Sequence, residues 1–203
     1  MKPLTAIFII LAFLSSVSAA AAAPLPMRPY AGIGILMLSP ASEPGDTESI
    51  SQRLYQEPAI LRQGEVDFSR VPDHEWIFGS AEVAYPLIVT ARRGNWLRVV
   101  YDDAGREAWL MAPSRKGYRP WDEFLKGQAA RLLPGLRKQF YQIFRQPGGG
   151  GGAALTGKSG FRIIRIEDDW AQVITDQNNP GWLRWRDEDG RLLVGLDRAA
   201  QNH

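Results

Sequence analysis

Apolar and polar residues alternate along two stretches of the chain, at residues 86–110 and 161–183. Such alternation is typical of half-buried β-strands, because successive side chains of a strand point to opposite faces of the sheet. In the first stretch, strands at 86–89, 96–101 and 106–110 are separated by turns. A three-stranded meander is therefore predicted there.

The second stretch repeats the order of the first. An apolar run, a short acidic turn, a strand beginning at Trp170, another turn and Trp182 follow one another. Matching Trp96 with Trp170 also sets Trp109 opposite Trp182 with a one-residue gap. A rival register sets Trp96 on Trp182, and we prefer the first because it keeps the order of turns and strands. The sequence therefore predicts an internal repeat.

Two further elements are predicted outside the meanders. Residues 121–133 are apolar at helical spacing and acidic in the first turn, and Pro134 ends the run. This pattern predicts a connecting helix packed on one half of the protein, with a short lid over a groove as the alternative. Residues 185–194 predict an extra hairpin or a closing strand.

Residues 1–23 are typical of a secretory signal peptide. Lys2 precedes an apolar core at 7–14, and the small residues that follow offer peptidase sites. We predict cleavage, since this run is shorter than the about 20 apolar residues that a membrane span needs. No integral membrane span is predicted after signal removal. Residues 24–51 are interpreted as a Pro-rich lead and loop, in which 30–38 form a candidate strand.

The composition excludes several chemistries. The 203 residues contain no cysteine and two histidines, and only His74 lies inside the chain. A thiol nucleophile, a disulfide framework and a Cys/His zinc site are therefore excluded. With 24 Lys+Arg against 22 Asp+Glu, the charge balance is too even for a nucleic-acid partner. His74 has no matched serine or second histidine nearby in sequence, which favours a structural or solvated role.

Residues 152–159 match the P-loop pattern, whose glycines let backbone N–H groups cradle phosphates while its lysine, here Lys158, reaches the terminal phosphate. A working P-loop is followed by a helix, whereas a β-type run follows here at 161–166. We therefore predict no nucleotide partner, and interpret 148–160 as a flexible loop of the second half.

Two clusters of carboxylates, at 102–103 and 187–189, are the other candidate chemistry. Clustered carboxylates serve as acid/base pairs or as calcium ligands. Each cluster also lies where a hairpin must turn, and Asp and Gly are favoured in turns. We interpret both as turn residues and predict no metal and no cofactor.

The tryptophans of the strands are expected to be mostly core residues. These are Trp96, Trp109, Trp170 and Trp182. Trp182 and Trp185 are an odd number of residues apart, so a regular strand would point one of them outward. We hypothesise a surface aromatic strip that stacks on sugars or peptide prolines. Its speculative ligand-binding residues are Trp185, Tyr101, Tyr85 and Trp76.

The two meanders share a sequence motif. A turn is followed by a Trp-x-x-Val strand and then by a Gly/Ala-Trp-hydrophobic strand, at 94–110 and again at 168–183. This motif resembles the bacterial SH3 domain family, the small barrels appended to many cell-envelope proteins. Ala108 stands where the family usually has glycine.

The resemblance implies a mainly β fold of two small SH3-like barrels joined by a short helix. The predicted boundaries are 52–113 for the first SH3-like domain, 114–139 for the helical connector, 140–197 for the second domain and 198–203 for a tail.

The resemblance also implies a non-catalytic binding role in the periplasm or outside the cell. The expected partner is cell-wall peptidoglycan or its peptides. A protein–protein adaptor that recruits an envelope protein is the alternative, and a carboxylate-based hydrolase is a remote one.

Overall fold

The protein is described by a computed structural model that covers residues 31–39, 52–78, 84–112 and 117–197. The predicted signal peptide, much of the 24–51 lead and the 198–203 tail lie outside the described residues.

The chain is mainly β, and its strands form antiparallel sheets. The elements of the first half are β1 (Gly34–Leu38), β2 (Arg53–Glu57), β3 (Ile60–Glu65), α1 (Glu75–Phe78), β4 (Tyr85–Arg93), β5 (Trp96–Val100), β6 (Glu107–Met111) and β7 (Tyr118–Pro120). Those that follow are α2 (Trp121–Leu125), β8 (Ala129–Leu132), a 3-10 turn (Lys138–Phe140), β9 (Gln142–Ile143), β10 (Ala153–Ala154), β11 (Gly160–Glu167), β12 (Trp170–Thr175), β13 (Pro180–Arg184) and β14 (Val194–Leu196).

The strands form a seven-stranded sheet in the order β3-β2-β6-β5-β4-β1-β7 and a five-stranded sheet in the order β13-β12-β11-β8-β14. The short strands β9 and β10 pair with each other. Among the described residues, the pairing of neither large sheet closes into a barrel.

Both predicted meanders are present, as β4-β5-β6 and β11-β12-β13, and their registers match. Trp96 lies opposite Met111 and Trp170 opposite Arg184, so each strand that begins with tryptophan pairs at the same offset. Each first strand also carries a bulge at the same place, immediately after Val89 and after Ile163. These pairings agree with the register that matches Trp96 with Trp170.

The candidate strand at 30–38 lies inside the larger sheet, as β1 between β4 and β7. Gly34 lets β1 and β7 approach each other closely, since a Cβ atom there would lie 2.8 Å from the Pro120 Cα. The Trp121 indole donates a hydrogen bond of 2.8 Å to the Gly32 carbonyl, which fixes α2 against β1. Residues 34–38 of the lead are therefore part of the larger sheet.

The predicted helix at 121–133 is wrong beyond its first five residues. α2 ends at Leu125, and Gly127 follows at a φ of +80, a conformation that favours glycine. Residues 129–132 then form β8, which lies between β11 and β14 in the second sheet. Pairing on both edges outweighs the helical periodicity, because local propensity is weaker than tertiary context.

Two apolar clusters form the core. The smaller one lies in the first half and includes Leu54, Leu87 and Leu97. The larger one contains Ile163, Val173 and most other buried residues of the second sheet, and it also takes in residues of the first half. Those residues are Ile35, Ile77, Phe78, Ile88, Trp121, Phe124 and Leu125. The two sheets therefore share the larger cluster, through residues of β1, β4, α1 and α2.

Candidate functional site

A groove of about 610 Å³ lies in the second half, between the β9–β10 hairpin, the start of β11 and the β12–β13 turn. Its apolar lining includes Ile143, Phe144, Leu155 and Pro180, and its polar lining includes Thr156, Ser159, Gln177 and Asn179. Arg145 and Asp176 are the charged residues among those that line it. We call this the β9–β10 groove. An apolar surface with a few polar groups around it is the usual composition of a ligand site.

Glycine shapes one wall of the β9–β10 groove. A Cβ atom on Gly152 would lie 2.9 Å from the Phe144 ring, so only glycine lets the tract pass over that ring without a shift. Gly148 and Gly151 have φ angles of +69 and +72, which glycine adopts at little cost. The glycine run is therefore needed for the path of the chain that covers the groove.

Hydrogen bonds fix the end of the groove near β11. The Thr156 and Ser159 hydroxyls are 2.9 Å apart, and the Ser159 N–H donates to the Thr156 carbonyl over 3.0 Å. The Gly160 N–H donates to Oδ2 of Asp176 over 3.0 Å, which ties the start of β11 to the β12–β13 turn. The polar groups at this end are held in place before any ligand binds.

The residues that match the P-loop pattern belong to this wall. The stretch 148–160 is not wholly a loop, because Ala153 and Ala154 form β10 and pair with β9. Ser159 is followed by the strand β11 rather than by a helix. The helix N-terminus that binds phosphate in a P-loop is therefore replaced by a strand at this place, and Lys158 is an exposed residue of a tight turn.

Each half also carries a cluster of aromatic rings covered by arginine. Tyr55 meets Trp96 edge-on at 5.2 Å between ring centroids, and the Arg93 guanidinium lies 5.1 Å from the Trp109 ring. We call these residues the first aromatic cluster. Arginine over an aromatic face is a favourable contact.

The second aromatic cluster has a similar arrangement of rings, and its arginine comes from a different position of the first strand, since Arg165 corresponds to Ala91 and Arg93 to Glu167. Phe144 meets Trp170 edge-on at 5.5 Å, and the Arg165 guanidinium lies 5.2 Å from the Trp182 ring. Phe144 also pairs with Trp182 across the sheet, as Tyr55 pairs with Trp109. Phe144 is thus the counterpart of Tyr55.

The expectation that all four strand tryptophans are mostly core residues is wrong in part. Trp109 and Trp182 are buried, but Trp96 and Trp170 are half-buried. None of the four belongs to either core cluster. They lie on the outer faces of their sheets, and an arginine lies over the rings of Trp109, Trp170 and Trp182.

The structure does not expose Trp185. It is 3% exposed and belongs to the larger core cluster, and its indole N–H donates to the Asp168 carbonyl over 2.8 Å. Trp182 is the outward tryptophan of this pair, covered by Arg165. Trp185 follows the end of β13 and leads into the hairpin of residues 185–193, where Arg186 bridges to Leu192. This hairpin leads to β14.

The other proposed aromatic residues lie in the first half, and Tyr101 packs against the smaller core cluster whereas Trp185 belongs to the larger one. Tyr85 is 39% exposed and packs on Phe68 at 5.0 Å. Tyr101 is half-buried against the smaller core cluster, and the Arg106 guanidinium lies 5.4 Å from its ring. Trp76 falls in α1, and its side chain lies outside what the structure describes.

The two carboxylate clusters form turns, as interpreted from the sequence. Oδ1 of Asp102 accepts the Arg106 N–H over 2.8 Å, and Oδ1 of Asp187 accepts the Arg191 N–H over 2.9 Å. Burial raises the pKa of Asp102, but the hydrogen bonds and charge of Arg106 outweigh this and lower the pKa overall. Both aspartates thus belong to a local Asp-x-x-Gly-Arg turn, a motif that was overlooked in the sequence.

His74 is buried in contact with the ring of Phe78, at 5.9 Å between centroids. Its carbonyl accepts the N–H groups of Ile77 and Phe78, so the residue begins α1. Burial lowers the pKa of His74 to about 4, and the side chain is therefore neutral at physiological pH. Its role here is structural.

Within the described ranges, no group of three or more His, Asp or Glu residues is placed to hold a metal ion. The same part of the chain contains no helix that is long and apolar enough to cross a membrane. Comparison of the chain with protein-family models and with curated proteins gives no match.

Proposed function

We propose that this chain is a non-catalytic binding module of the cell envelope, exported through its N-terminal signal, and that it recognises peptidoglycan or its peptides. The observation that carries this proposal is the β9–β10 groove, with its apolar lining and preformed polar end. The motif resemblance of both halves to bacterial SH3 domains supports it. On this proposal, the two meanders are the centres of two SH3-like units.

The shape and chemistry of the groove favour an extended ligand. Its lining runs from the β9–β10 hairpin to the β12–β13 turn, and Arg145 and Asp176 offer one positive and one negative charge. A peptide that carries both an amine and a carboxylate complements such a pair. The stem peptides of peptidoglycan have this character, and their length fits a groove rather than a closed cavity.

The carboxylates support binding over hydrolysis, since Asp176 is the single acid among the residues that line the groove. Asp102 is paired with Arg106 at 2.5 Å, and Asp187 accepts two backbone N–H groups of its own turn. Neither carboxylate lines the groove. A hydrolase would need a pair of acids that face the substrate at a fixed separation.

Sedimentation with purified cell-wall sacculi tests the proposal. We expect the processed protein to pellet with sacculi, and one of the two variants Ala153→Trp and Ala154→Trp to weaken this, because consecutive residues of β10 point to opposite faces and only one of them directs a large side chain into the groove. Lys158→Ala is the matched control, since Lys158 is exposed in the next turn and does not line the groove. Unchanged binding by both tryptophan variants would overturn the site.

Enzymatic removal of one component from the sacculi identifies the ligand. An amidase cuts the stem peptides from the glycan strands, so binding should fall sharply after amidase treatment. A protein that stays in the supernatant with intact sacculi but captures an envelope protein would be an adaptor instead.

A further inference from the structure

The protein itself does not neutralise the two charged side chains that line the β9–β10 groove. Arg145 follows β9 and Asp176 begins the β12–β13 turn, and both are exposed. Within the described ranges, neither side chain takes part in an ion pair. By contrast, Arg165 and Arg186 of the same half are each paired with an acid. The groove therefore offers one positive and one negative charge to a ligand.

The Asp176 carboxylate is held in place at the polar end of the groove. Its Oδ2 accepts the Gly160 N–H over 3.0 Å, and the Asp176 N–H donates to the Gly160 carbonyl over 3.2 Å. A Cβ atom on residue 160 would lie 2.5 Å from Oδ2, so glycine there makes room for the carboxylate. The Ser159 hydroxyl lines the same end. An ammonium group, which has three N–H donors, finds acceptors at this place.

One charge of each sign disfavours a ligand group of a single charge. A phosphate or carboxylate bound at Arg145 would leave Asp176 without a partner, and an ammonium group at Asp176 would leave Arg145 without one. Because both side chains are exposed to water, each missing contact lowers the affinity modestly. A ligand group that carries an ammonium and a carboxylate together satisfies both side chains.

We propose that the groove binds the free side-chain end of a diamino acid in the stem peptide, with its ammonium group at Asp176 and its carboxylate at Arg145. This inference rests on the proposed function and names the part of the peptide that is recognised. The side chain of diaminopimelate ends in an amine and a carboxylate on one carbon, whereas that of lysine ends in an amine alone. The groove should therefore prefer diaminopimelate to lysine at this position of the peptide.

Cross-linking of the cell wall changes the recognised group. A cross-link acylates the side-chain amine of the diamino acid, so the nitrogen loses its positive charge, as it does in an acetylated lysine. Asp176 then has no cation to contact. The protein should therefore bind stem peptides that are not cross-linked in preference to those that are.

Three soluble peptides separate the two contacts. N-acetyl-alanyl-γ-D-glutamyl peptides that end in diaminopimelate, in lysine or in Nε-acetyl-lysine carry the side-chain amine with a carboxylate, the amine alone, or neither. Calorimetry with the full processed chain should rank their affinities in that order. We expect about five-fold between neighbouring peptides, as for other exposed charge pairs. High salt should reduce both differences.

Two variants assign each contact to its residue. Asp176→Asn keeps an oxygen that accepts the Gly160 N–H, and it should abolish the difference between the lysine and acetyl-lysine peptides. Arg145→Gln should abolish the difference between the diaminopimelate and lysine peptides. Asp103→Asn and Arg137→Gln are the matched controls, since both side chains are exposed and lie outside the lining of the groove. These controls should change neither difference.

The peptide series distinguishes failure of this inference from failure of the proposed function. Equal affinity of the wild type for all three peptides would overturn the inference and leave recognition of cell-wall peptides intact. The inference is also overturned if Asp176→Asn or Arg145→Gln weakens all three peptides alike, because a purely structural role has that effect. Absence of binding by all three peptides would overturn both the inference and peptide recognition by the groove.

Discussion

The two meanders are alike where they form sheet and differ in the hairpin that precedes them. Both have a bulge in the first strand, tryptophan at the start of the second, and an aromatic cluster beneath arginines. In the first half, the preceding hairpin is formed by β2 and β3 and exposes Ile60 and Leu61 where it turns. In the second half, the two-residue strands β9 and β10 are joined by a glycine-rich stretch that walls a groove.

The comparison distinguishes the paired strands, which are alike in the two halves, from the preceding hairpins, which differ. A register and a set of cross-strand pairs can be reused, because they satisfy the backbone and anchor the rings. The preceding hairpin is free to vary in length and chemistry, as loops on a rigid frame usually are. The same frame therefore presents an apolar protrusion in one half and a ligand-sized groove in the other.

The halves also differ in packing. The first has a small cluster of its own, and the second is packed around the larger cluster to which β1, α1 and α2 contribute. Substitutions in the larger cluster should therefore affect both halves.

The largest effect is expected for Trp185→Ala. Trp185 is buried in the larger cluster and has no counterpart in the smaller one, so its loss should lower the free energy of unfolding by about 3–5 kcal/mol. Denaturant unfolding measures this. A change below about 1 kcal/mol would contradict the packing of Trp185 described above.

Acid should destabilise the shared core through His74. The pKa is lowered to about 4 in the fold, against about 6.5 in the unfolded chain. The unfolded state therefore binds the proton first, and the stability contributed by neutral His74 is full above pH 6.5 and is lost as the pH falls towards 4. The loss should reach about 3 kcal/mol.

Stability measured against pH, with His74→Leu beside the wild type, checks this effect. Between pH 6.5 and 4, the stability of the variant should fall much less than that of the wild type. An identical decline in both proteins would show that other groups cause it.

The matched aromatic clusters are tested by Trp96→Ala and Trp170→Ala. Both rings are half-buried and meet an aromatic partner edge-on, so each loss should cost about 2 kcal/mol, below the range for fully buried tryptophan. Thermal melts of the two variants should agree closely. A silent substitution in one half and a large effect in the other would break the correspondence of the two clusters.

The smallest effect concerns a position that differs between the halves. Gly181 corresponds to Ala108 in the register, and a Cβ atom there would collide with the Ile143 side chain. Gly181→Ala should cost about 1 kcal/mol, at the low end for overpacking, because the nearest obstructing atoms, Cγ1 and Cδ1 of Ile143, belong to a side chain that can shift. In combination with Ile143→Ala, which removes both atoms, the loss should be smaller than the sum of the two single losses, whereas additive losses would show that the two residues do not clash.

The strands were predictable where alternation and turn residues agreed, as in β5 and β12. β8 was missed because Ala129, Ala130 and Leu132 fit a helical period, and only pairing with β11 and β14 makes them a strand. Trp185 was placed at the surface on the assumption that the strand continues past Arg184 without a change of path. The groove was overlooked because glycine runs look like loops. Thr156 and Ser159, which follow the glycine run, are the polar residues that could have indicated a binding site there.

The central claim, that the β9–β10 groove binds cell-wall peptides, is tested most directly by amide chemical shifts. A soluble stem peptide titrated into the labelled protein should shift the amides of Ile143, Leu155 and Asn179, and leave those of Ile60 and Tyr101 unchanged. Shifts centred on Tyr101 and Tyr85 instead, or no shifts at all, would contradict the claim.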